Sequence, residues 1–287
     1  PFELQAFREN IGAVCRKTQN VILASTSAGK SLTLVHLTGE YLRQGKTVVY
    51  ISLEMDYVKI SDRIYANLFN VDIETIENWE HAECKRRMEE INSVLKGRLK
   101  VQDYPTGKAH VGHFTAFLHD LNQKQNITPD VIIVDYLNLC ASRSLRAGKN
   151  SNRYQEVGCI SNELRALAQE TNTVLWTATQ TNRNGYKSDA NMENTSESYE
   201  VNSGCDLLIG ITKDEKDEGS LKFQVLKNRN GKLKGKPFIV PVNKSRMRLY
   251  DADNLEHTND AIKRAMTHCR EQKEKQRRQE IGFEIDR

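Results

Sequence analysis

Short runs of consecutive apolar residues alternate along the chain with longer segments in which apolar residues recur every three or four positions. The short runs predict buried β-strands, and the longer segments predict amphipathic α-helices. The predicted strands lie at residues 21–23, 47–53, 98–102, 130–139, 173–179, 206–212 and 220–227. The predicted helices lie at residues 3–18, 32–42, 57–69, 80–95, 111–124 and 154–170.

This alternation predicts an α/β fold with a mainly parallel, twisted sheet flanked by helices, in which ligands bind at the carboxyl ends of the strands. A hairpin-like pair at residues 238–242 and 247–250 is expected to close the sheet with antiparallel strands. Because the chain starts with proline, we expect residues 1–19 to be a helix or linker left from a longer chain. Residues 20–251 are expected to form the folded domain, and residues 252–287 a charged helical tail.

The composition is that of a globular protein, with 38% hydrophobic and 28% charged residues, and no apolar run is long enough to cross a bilayer. The six cysteines show no spacing typical of zinc sites, which predicts reduced thiols in a cytoplasmic protein, with Cys140 and Cys159 in the core. His110 and His113 flank a predicted helix start, and a surface role is favoured over metal binding. The net charge of +4 permits nucleic-acid binding without demonstrating it.

Residues 20–31, NVILASTSAGKS, combine a short apolar strand, a run of small and hydroxyl residues, and a helix start. This order predicts a phosphate-binding loop in which backbone N–H groups and the helix N-terminus converge on an anion. Lys30 is then expected to contact the terminal phosphates, and the Ser31 hydroxyl to bind Mg²⁺. The alternative is a polar strand-to-helix turn without a ligand. The candidate nucleotide-binding residues of this segment are Ser25, Thr26, Ser27, Ala28, Gly29, Lys30, Ser31 and Leu32.

One position departs from the usual GxxxxGK[ST] pattern of such loops, because Ala24 stands where the first glycine belongs. An alanine at this position predicts a first turn that does not require a positive φ.

Three further predicted strands end in a polar residue, namely Glu54, Asp135 and Gln180. Because the carboxyl ends of parallel strands share one edge of the sheet, these side chains are expected to lie near Lys30. In a phosphoryl-transfer site, one carboxylate polarises the attacking water, another holds Mg²⁺, and an amide senses the γ-phosphate. Asp135 taken alone is also compatible with a turn residue. The joint occurrence is more specific than any single residue and predicts a site for ATP and Mg²⁺.

The segments around these residues resemble the RecA-like motor domain of DnaB-type replicative helicases, and within that family the version carried by T-even-type phages. YISLEM at residues 50–55 is similar to the strand that carries the catalytic glutamate, which implies that role for Glu54. VIIVDYLNL resembles the Walker B strand and implies that Asp135 binds Mg²⁺. The segment at residues 163–183 looks like the helix and strand that end in the sensor glutamine, here Gln180.

The resemblance also implies an assembly, because KNRNGKLKG at residues 227–235 is similar to the segment that supplies a lysine and an arginine to a neighbouring subunit. These residues are Lys227 and Arg229. A basic pair at the far edge of the sheet is poorly placed to reach its own phosphate loop, so hydrolysis is expected to need a ring or a filament, and the resemblance implies a homo-hexamer. The alternative is that both are solvated turn residues. Tyr250 is a candidate to flank the nucleotide base, with core packing as the alternative.

Two basic loops, after Asp135 and after Gln180, match the family's loops that face the central channel and grip single-stranded DNA. Such loops suit non-specific contacts to phosphates, and the alternative is that they are only solvated. The basic tail is compatible with a contact to a primase or a helicase loader, and equally with a solvated face. The candidate DNA-binding residues are Arg143, Arg146, Lys149, Arg183 and Lys187.

Together these observations predict an ATP-dependent replicative DNA helicase that moves along single-stranded DNA as a ring, in the host cytoplasm if it is encoded by a phage. Two alternatives remain open. One is a RecA-like recombination or strand-binding ATPase that does not unwind DNA, and the other is a P-loop phosphotransferase.

Overall fold

The computed structural model describes residues 2–145, 153–180, 204–214, 216–231 and 235–251. The predicted tail at residues 252–287 lies outside this part of the chain. The predicted domain boundaries after residues 19 and 251 stay predictions.

Within the described residues, the centre of the fold is one nine-stranded mixed sheet. The strands are β1 (Thr18–Ala24), β2 (Val48–Ser52), β3 (Leu99–Asp103), β4 (Val131–Asp135), β5 (Val174–Gln180), β6 (Leu207–Lys213), β7 (Ser220–Asn228), β8 (Phe238–Asn243) and β9 (Arg248–Leu249). Their spatial order is β3-β2-β4-β5-β1-β6-β7-β8-β9. The pairs from β3 to β6 are parallel, and the pairs from β6 to β9 are antiparallel. The predicted α/β fold with antiparallel C-terminal strands is therefore confirmed.

Helices connect and cover these strands. They are α1 (Gln5–Asn10), α2 (Lys30–Arg43), α3 (Tyr57–Phe69), α4 (Ile73–Glu77), α5 (His81–Val94), α6 (Val111–Gln125) and α7 (Arg153–Glu170). The sequence pattern did not indicate α4, because five residues are too short to show a helical period. None of the described helices combines the length and the apolar character that a membrane crossing requires.

The two faces of the sheet are buried against different helices. Along β1, Ile22 and Ala24 belong to the core that includes α2 and α3, whereas Val21 and Leu23 belong to the core that includes α6 and α7. Because successive strand residues point to opposite faces, a continuous apolar run is what a sheet covered on both sides requires. The doubly covered sheet leaves its strand ends as the accessible places for a ligand.

The N-terminal helix is shorter than the predicted helix at residues 3–18, since α1 covers only six residues. The Phe7 carbonyl accepts hydrogen bonds from the N–H groups of Ile11 and Gly12, and Gly12 then takes a left-handed conformation with φ 86°. A glycine with positive φ is a common helix terminator, which explains the early end. The apolar spacing instead reflects packing, because the Phe7 ring lies edge-on to Phe223, 5.2 Å away, and Phe2 lies edge-on to Trp176.

Candidate functional site

The loop after β1 forms the floor of the site. Ala24 is extended and pairs with Gln180 on one side and Ile211 on the other, so its position requires no positive φ, as predicted. The left-handed conformations occur later, at Ser27 with φ 58° and Gly29 with φ 95°. A Cβ atom at Gly29 would lie 2.7 Å from Leu221 Cδ1. The backbone angle therefore favours glycine at residue 29, and a larger residue would also displace the Leu221 side chain of β7.

Lys30 opens α2, and its ammonium is held under the loop. Its Nζ atom donates hydrogen bonds to the carbonyls of Ser25, at 2.9 Å, and of Ala24, at 3.4 Å. Burial lowers the pKa of Lys30, and the negative charges of Glu54 and Asp135 oppose that shift. The loop carbonyls and the two carboxylates thus hold a positive charge beside the helix N-terminus, where an anion is favoured.

Asp135 ends β4 and faces the first turn of α2. One carboxylate oxygen accepts a hydrogen bond from the Ser31 hydroxyl at 3.3 Å, and the other accepts one from the Tyr50 hydroxyl at 2.7 Å. Burial raises the pKa of Asp135, whereas these two donors lower it. A buried carboxylate beside a hydroxyl suits a hard cation that takes its other ligands from water and phosphate. The described residues contain no cluster of three His, Cys, Asp or Glu side chains that would hold a metal by themselves.

Gln180, at the end of β5, contacts the loop directly. Its Nε2 atom donates a hydrogen bond to the Thr26 hydroxyl at 2.7 Å, and its Oε1 atom accepts one from Tyr136 at 3.5 Å. The Tyr136 ring lies beneath the Lys30 ammonium, with 5.6 Å between Nζ and the ring centroid. The loop and the end of β5 are therefore linked through one side chain.

These groups line a single cavity of about 690 Å³ at the carboxyl ends of the parallel strands. The cavity is faced by Lys30, Ser31, Glu54 and Gln180, as predicted from the sequence. Asp135 lies at the base of the cavity, where it accepts the hydrogen bond from Ser31. A cavity of this size holds a nucleotide-sized ligand. The other lining residues are Thr26, Ser27, Gly29, Leu32, Met55, Arg63, Tyr136, Lys213, Asp214, Glu218, Ser220, Leu221, Val242, Lys244 and Met247.

Comparison with known proteins places this arrangement in a family. The family model described as the DnaB-like helicase C-terminal domain matches residues 4–246. This chain belongs to that family. It is 38% identical over 253 residues to the DnaB-like replicative helicase of Enterobacteria phage T4, which covers 85% of this chain and 53% of that protein. It is 26% identical over 227 residues to the replicative DNA helicase DnaB of Haemophilus influenzae, which covers 74% of this chain and 47% of that protein.

The chain thus spans about half the length of these two curated relatives. Two solved structures are similar in fold at 16% sequence identity. One is described as an ATPase domain, and it aligns with a TM-score of 0.71 over 88% of this chain and 90% of its own. The other is a DnaB-like replicative helicase, described with its interactions with primase, and it aligns with a TM-score of 0.69 over 88% of this chain and 61% of its own. The predicted RecA-like core agrees with this likeness.

Three cationic side chains of the DnaB-like site were missed by sequence reasoning: Arg63, Lys213 and Lys244. Lys213 ends β6, which is parallel to β1, so the same strand-end argument would have found it. Arg63 and Lys244 come from α3 and from the turn after β8, and only the folded chain brings them to the cavity.

Tyr250 does not line the cavity of this DnaB-like domain. It is buried, its hydroxyl donates a hydrogen bond to Asn70 Oδ1 at 3.1 Å, and the Arg248 guanidinium lies 5.6 Å from its ring centroid. This placement agrees with the core-packing alternative and not with a contact to the nucleotide base.

Lys227 and Arg229 lie at the opposite edge of the sheet from the cavity. Lys227 pairs with Leu208 near the start of β6, and the Arg229 guanidinium donates to Asp206 Oδ1 at 3.1 Å. Asp206 is hydrogen-bonded to Gln19, and β1 then runs about 16 Å before it reaches the phosphate loop. An arginine side chain does not bridge that span, so neither residue contacts the cavity of its own DnaB-like domain.

The segment after Asp135 begins in a fixed conformation. The Glu163 carboxylate on α7 accepts hydrogen bonds from the N–H groups of Arg143 and Ser144 and from the hydroxyls of Ser142 and Ser144. Asn138 Oδ1 accepts the N–H of Gln180 at 3.1 Å, so this segment is also tied to the end of β5. Of the candidate DNA-binding residues, Arg143 is placed here. The other four, Arg146, Lys149, Arg183 and Lys187, lie outside the described residues.

The histidines and cysteines have structural positions. His110 caps α6 by accepting the N–H of Gly112 at 3.0 Å, and His113 accepts the N–H of His110 at 3.2 Å. Cys140 is buried, as predicted. Cys159 is only partly buried, so its predicted place in the core is wrong. It precedes Ile160 on α7 and therefore points about 100° away from the apolar face.

Proposed function

We propose that this chain is the motor domain of an ATP-dependent replicative DNA helicase, which binds ATP with Mg²⁺ in the cavity and moves along single-stranded DNA as a homo-hexameric ring. The observation that carries this proposal is the convergence of Lys30, Ser31, Glu54 and Gln180 on one cavity in a chain of the DnaB-like family. Family membership supports the unwinding of DNA, and the geometry supports the binding and hydrolysis of ATP.

Each side chain has a distinct role in this proposal. Lys30 neutralises charge on the terminal phosphates, together with the backbone N–H groups of the loop. Ser31 and Asp135 would hold Mg²⁺, which supplies further charge neutralisation when it is bound. Glu54, exposed at the rim of the cavity, orients and polarises the attacking water. Gln180, bonded to Thr26 of the loop, detects the loss of the γ-phosphate.

The arginine that stabilises the transition state comes from a neighbouring subunit. Arg229 cannot reach the cavity of its own chain, whereas in a ring the amino-end edge of one subunit can face the carboxyl-end edge of the next. Arginine fingers in phosphoryl-transfer enzymes accelerate hydrolysis by about 10³ to 10⁵. A lone subunit is therefore a poor ATPase. Lys227 lies at the same edge, and it too acts on the nucleotide bound by a neighbouring subunit.

DNA is contacted by the segments that follow β4 and β5. Loss of the γ-phosphate moves Gln180, and the Asn138 bond to the Gln180 backbone passes that movement to the segment containing Arg143. Non-specific contacts to phosphates suit a motor that moves along any sequence. The basic tail is proposed to contact a primase or a helicase loader.

The shared site is tested by mixing two variants of the full chain, Glu54→Gln and Arg229→Ala. In the presence of single-stranded DNA, Glu54→Gln alone is expected to hydrolyse ATP about 10² to 10³ times more slowly than the unmodified protein, and Arg229→Ala alone about 10³ to 10⁵ times more slowly. Mixed rings contain interfaces with an intact Glu54 and an intact Arg229, so the mixture recovers activity. A mixture that never recovers activity rejects the trans assignment.

Strand displacement on a forked duplex separates the helicase from its rivals. The proposal expects DNA-stimulated ATP hydrolysis together with displacement. A strand-binding ATPase shows stimulation without displacement, and a small-molecule phosphotransferase shows no stimulation by single-stranded DNA.

A further inference from the structure

Two arginines share one buried carboxylate at the amino-end edge of the sheet. The Asp206 side chain is 5% exposed and lies just before β6. Its Oδ1 atom accepts hydrogen bonds from Arg165 Nη2 at 2.9 Å and from Arg229 Nη1 at 3.1 Å. Its Oδ2 atom accepts hydrogen bonds from Arg165 Nε at 3.3 Å and from the N–H of Gln19 at 3.1 Å. Asp206 is thus the centre of an Arg–Asp–Arg triad.

The two arginines are held differently. Arg165 makes two contacts with the carboxylate and is 27% exposed, which is the bidentate geometry of a strong pair. Arg229 makes one contact and is 46% exposed. The backbone of Arg229 is fixed as well, because its N–H donates to the Asp206 carbonyl at 2.8 Å. Asp206 therefore fixes where the Arg229 side chain starts, while the guanidinium itself is lightly held.

Removal of one partner from a buried ion pair is strongly unfavourable when the remaining charge has no other partner. At Asp206 this cost is reduced, because Arg165 and the N–H of Gln19 stay in place when Arg229 departs. The triad thus meets two requirements of an arginine that acts on another subunit. Arg229 has a defined resting position, and it can leave that position while the buried carboxylate of Asp206 keeps other partners.

We propose that Asp206 is a positioning residue for Arg229, and that Arg165 keeps Asp206 paired while Arg229 reaches the phosphates bound by a neighbouring subunit. This inference rests on the proposed trans role of Arg229. Neither Asp206 nor Arg165 touches the nucleotide. They act only through Arg229, and they act in the subunit that donates it.

The mixture of Glu54→Gln and Arg229→Ala chains allows a directional test. In that mixture the Glu54→Gln chain donates Arg229, and the Arg229→Ala chain supplies the working cavity. Asp206→Asn is added to the donor in one mixture and to the receiver in another. Arg165→Gln is tested in the same two ways, since Arg165 is more exposed and its replacement is less disturbing. Arg16→Gln, which breaks the Arg16–Asp130 pair at the same edge, is the matched control.

The expected result is asymmetric. Asp206→Asn in the donor lowers kcat of the recovered hydrolysis about tenfold, because the Arg229 guanidinium loses its fixed resting position and must be ordered at the phosphates instead, and it leaves KM for ATP unchanged. The same change in the receiver has no effect. Arg165→Gln in the donor lowers kcat by a smaller factor, because Arg229 becomes the only cation on Asp206 and is held back. Arg16→Gln has no effect in either chain.

Equal losses in donor and receiver, or a rise in KM with kcat unchanged, show a structural role and overturn this proposal alone. Donor variants that keep full activity overturn it as well. If the parent mixture shows no recovery, the trans role of Arg229 fails and this inference fails with it. Thermal unfolding of each variant identifies a misfolded chain, and Arg165→Gln then decides the outcome in place of Asp206→Asn.

Discussion

The two ends of the parallel strands use charge in opposite ways. At the carboxyl ends, Lys30, Glu54 and Gln180 come from separate elements and face one open cavity. At the amino ends, charged side chains bind one another across the strands, as in the Arg165–Asp206–Arg229 triad and the Arg16–Asp130 pair. We propose that the first edge receives the nucleotide, whereas the second edge holds elements of the chain together. By our proposal the second edge also lends one arginine to the next subunit.

The difference follows from the direction of the strands. Parallel strands deliver helix N-termini and loop N–H groups to their carboxyl ends, where an anion is stabilised, and helix C-termini to their amino ends. α2 shows both, because Lys30 begins it at the cavity and Arg43 ends it in an ion pair with Glu3. A change at the cavity should therefore alter catalysis, and a change at the amino-end edge should alter stability unless it reaches Arg229.

Among the predictions that follow, the largest effect is expected for Lys30→Ala in the cavity. In the role that we propose for Lys30, removal of the ammonium leaves the terminal phosphates without a charge that stabilises the transition state, so DNA-stimulated hydrolysis falls about 10² to 10³ times. The measurement is the steady-state ATPase rate with saturating single-stranded DNA. Lys124→Ala, which removes an exposed lysine paired with Asp120 on α6, is the control and keeps the rate. A Lys30→Ala protein with near-normal turnover contradicts the assignment of the cavity.

Sequence reasoning succeeded where one strand end carries one chemical group. Lys30, Glu54 and Gln180 each follow an apolar run, and parallel strands bring such ends together without further information. It also predicted correctly that Ala24, which stands where the first glycine of the loop pattern belongs, needs no positive φ. The reason is that Ala24 is the last residue of β1.

The remainder depends on packing that the linear pattern does not contain. Tyr50 on β2 reaches Asp135 on the neighbouring strand β4, and Arg63 reaches the cavity from α3. In the sequence, Asp206 is a polar residue before an apolar strand. Only the folded chain shows that Arg165 on α7 is its partner. Residue type and position do not reveal these partners, because each contact joins elements that are distant in sequence.

A smaller effect is expected for Tyr50→Phe. The Tyr50 hydroxyl donates to Asp135 and favours its ionised form, so its loss allows burial to raise the pKa of Asp135 further. The Tyr50 hydroxyl also orients the carboxylate whose other oxygen faces Ser31, so its loss leaves the proposed Mg²⁺ ligand less well placed. Loss of such a supporting partner weakens metal binding about tenfold or more. The Mg²⁺ concentration for half-maximal hydrolysis therefore rises about tenfold, with little change in the rate at saturating Mg²⁺.

Tyr41→Phe is the matched control for Tyr50→Phe. Tyr41 is also buried, but its hydroxyl accepts a hydrogen bond from Trp176 Nε1 at 3.0 Å near the other end of the sheet. Its loss leaves the Mg²⁺ requirement unchanged. If both variants shift the requirement equally, the effect reflects general loosening of the core and not the Asp135 contact.

The smallest effect on catalysis is expected at the amino-end edge, where Glu40 in the last turns of α2 is buried beside His36. Burial raises the pKa of Glu40 to about 8, so the folded protein holds a proton that the unfolded chain releases near pH 4.5. The contribution of Glu40 to the free energy of unfolding is complete below pH 4.5, and it is lost as the pH rises through 8. His36 has the opposite sign, because burial lowers its pKa well below 6.5, and it therefore acts only under more acidic conditions.

Between pH 6.5 and 8, Glu40 is thus the group of this pair that changes the stability. The free energy of unfolding should fall relative to that of Glu40→Gln by up to about 1.4 kcal/mol per pH unit, the limit for one proton. Urea denaturation of both proteins across this range measures the difference, and ATP hydrolysis at about pH 7 should be equal in the two. Parallel curves of unfolding free energy against pH would show that Glu40 is already ionised in the folded protein. Glu40 would then no longer support the contrast between a catalytic edge and a stabilising edge.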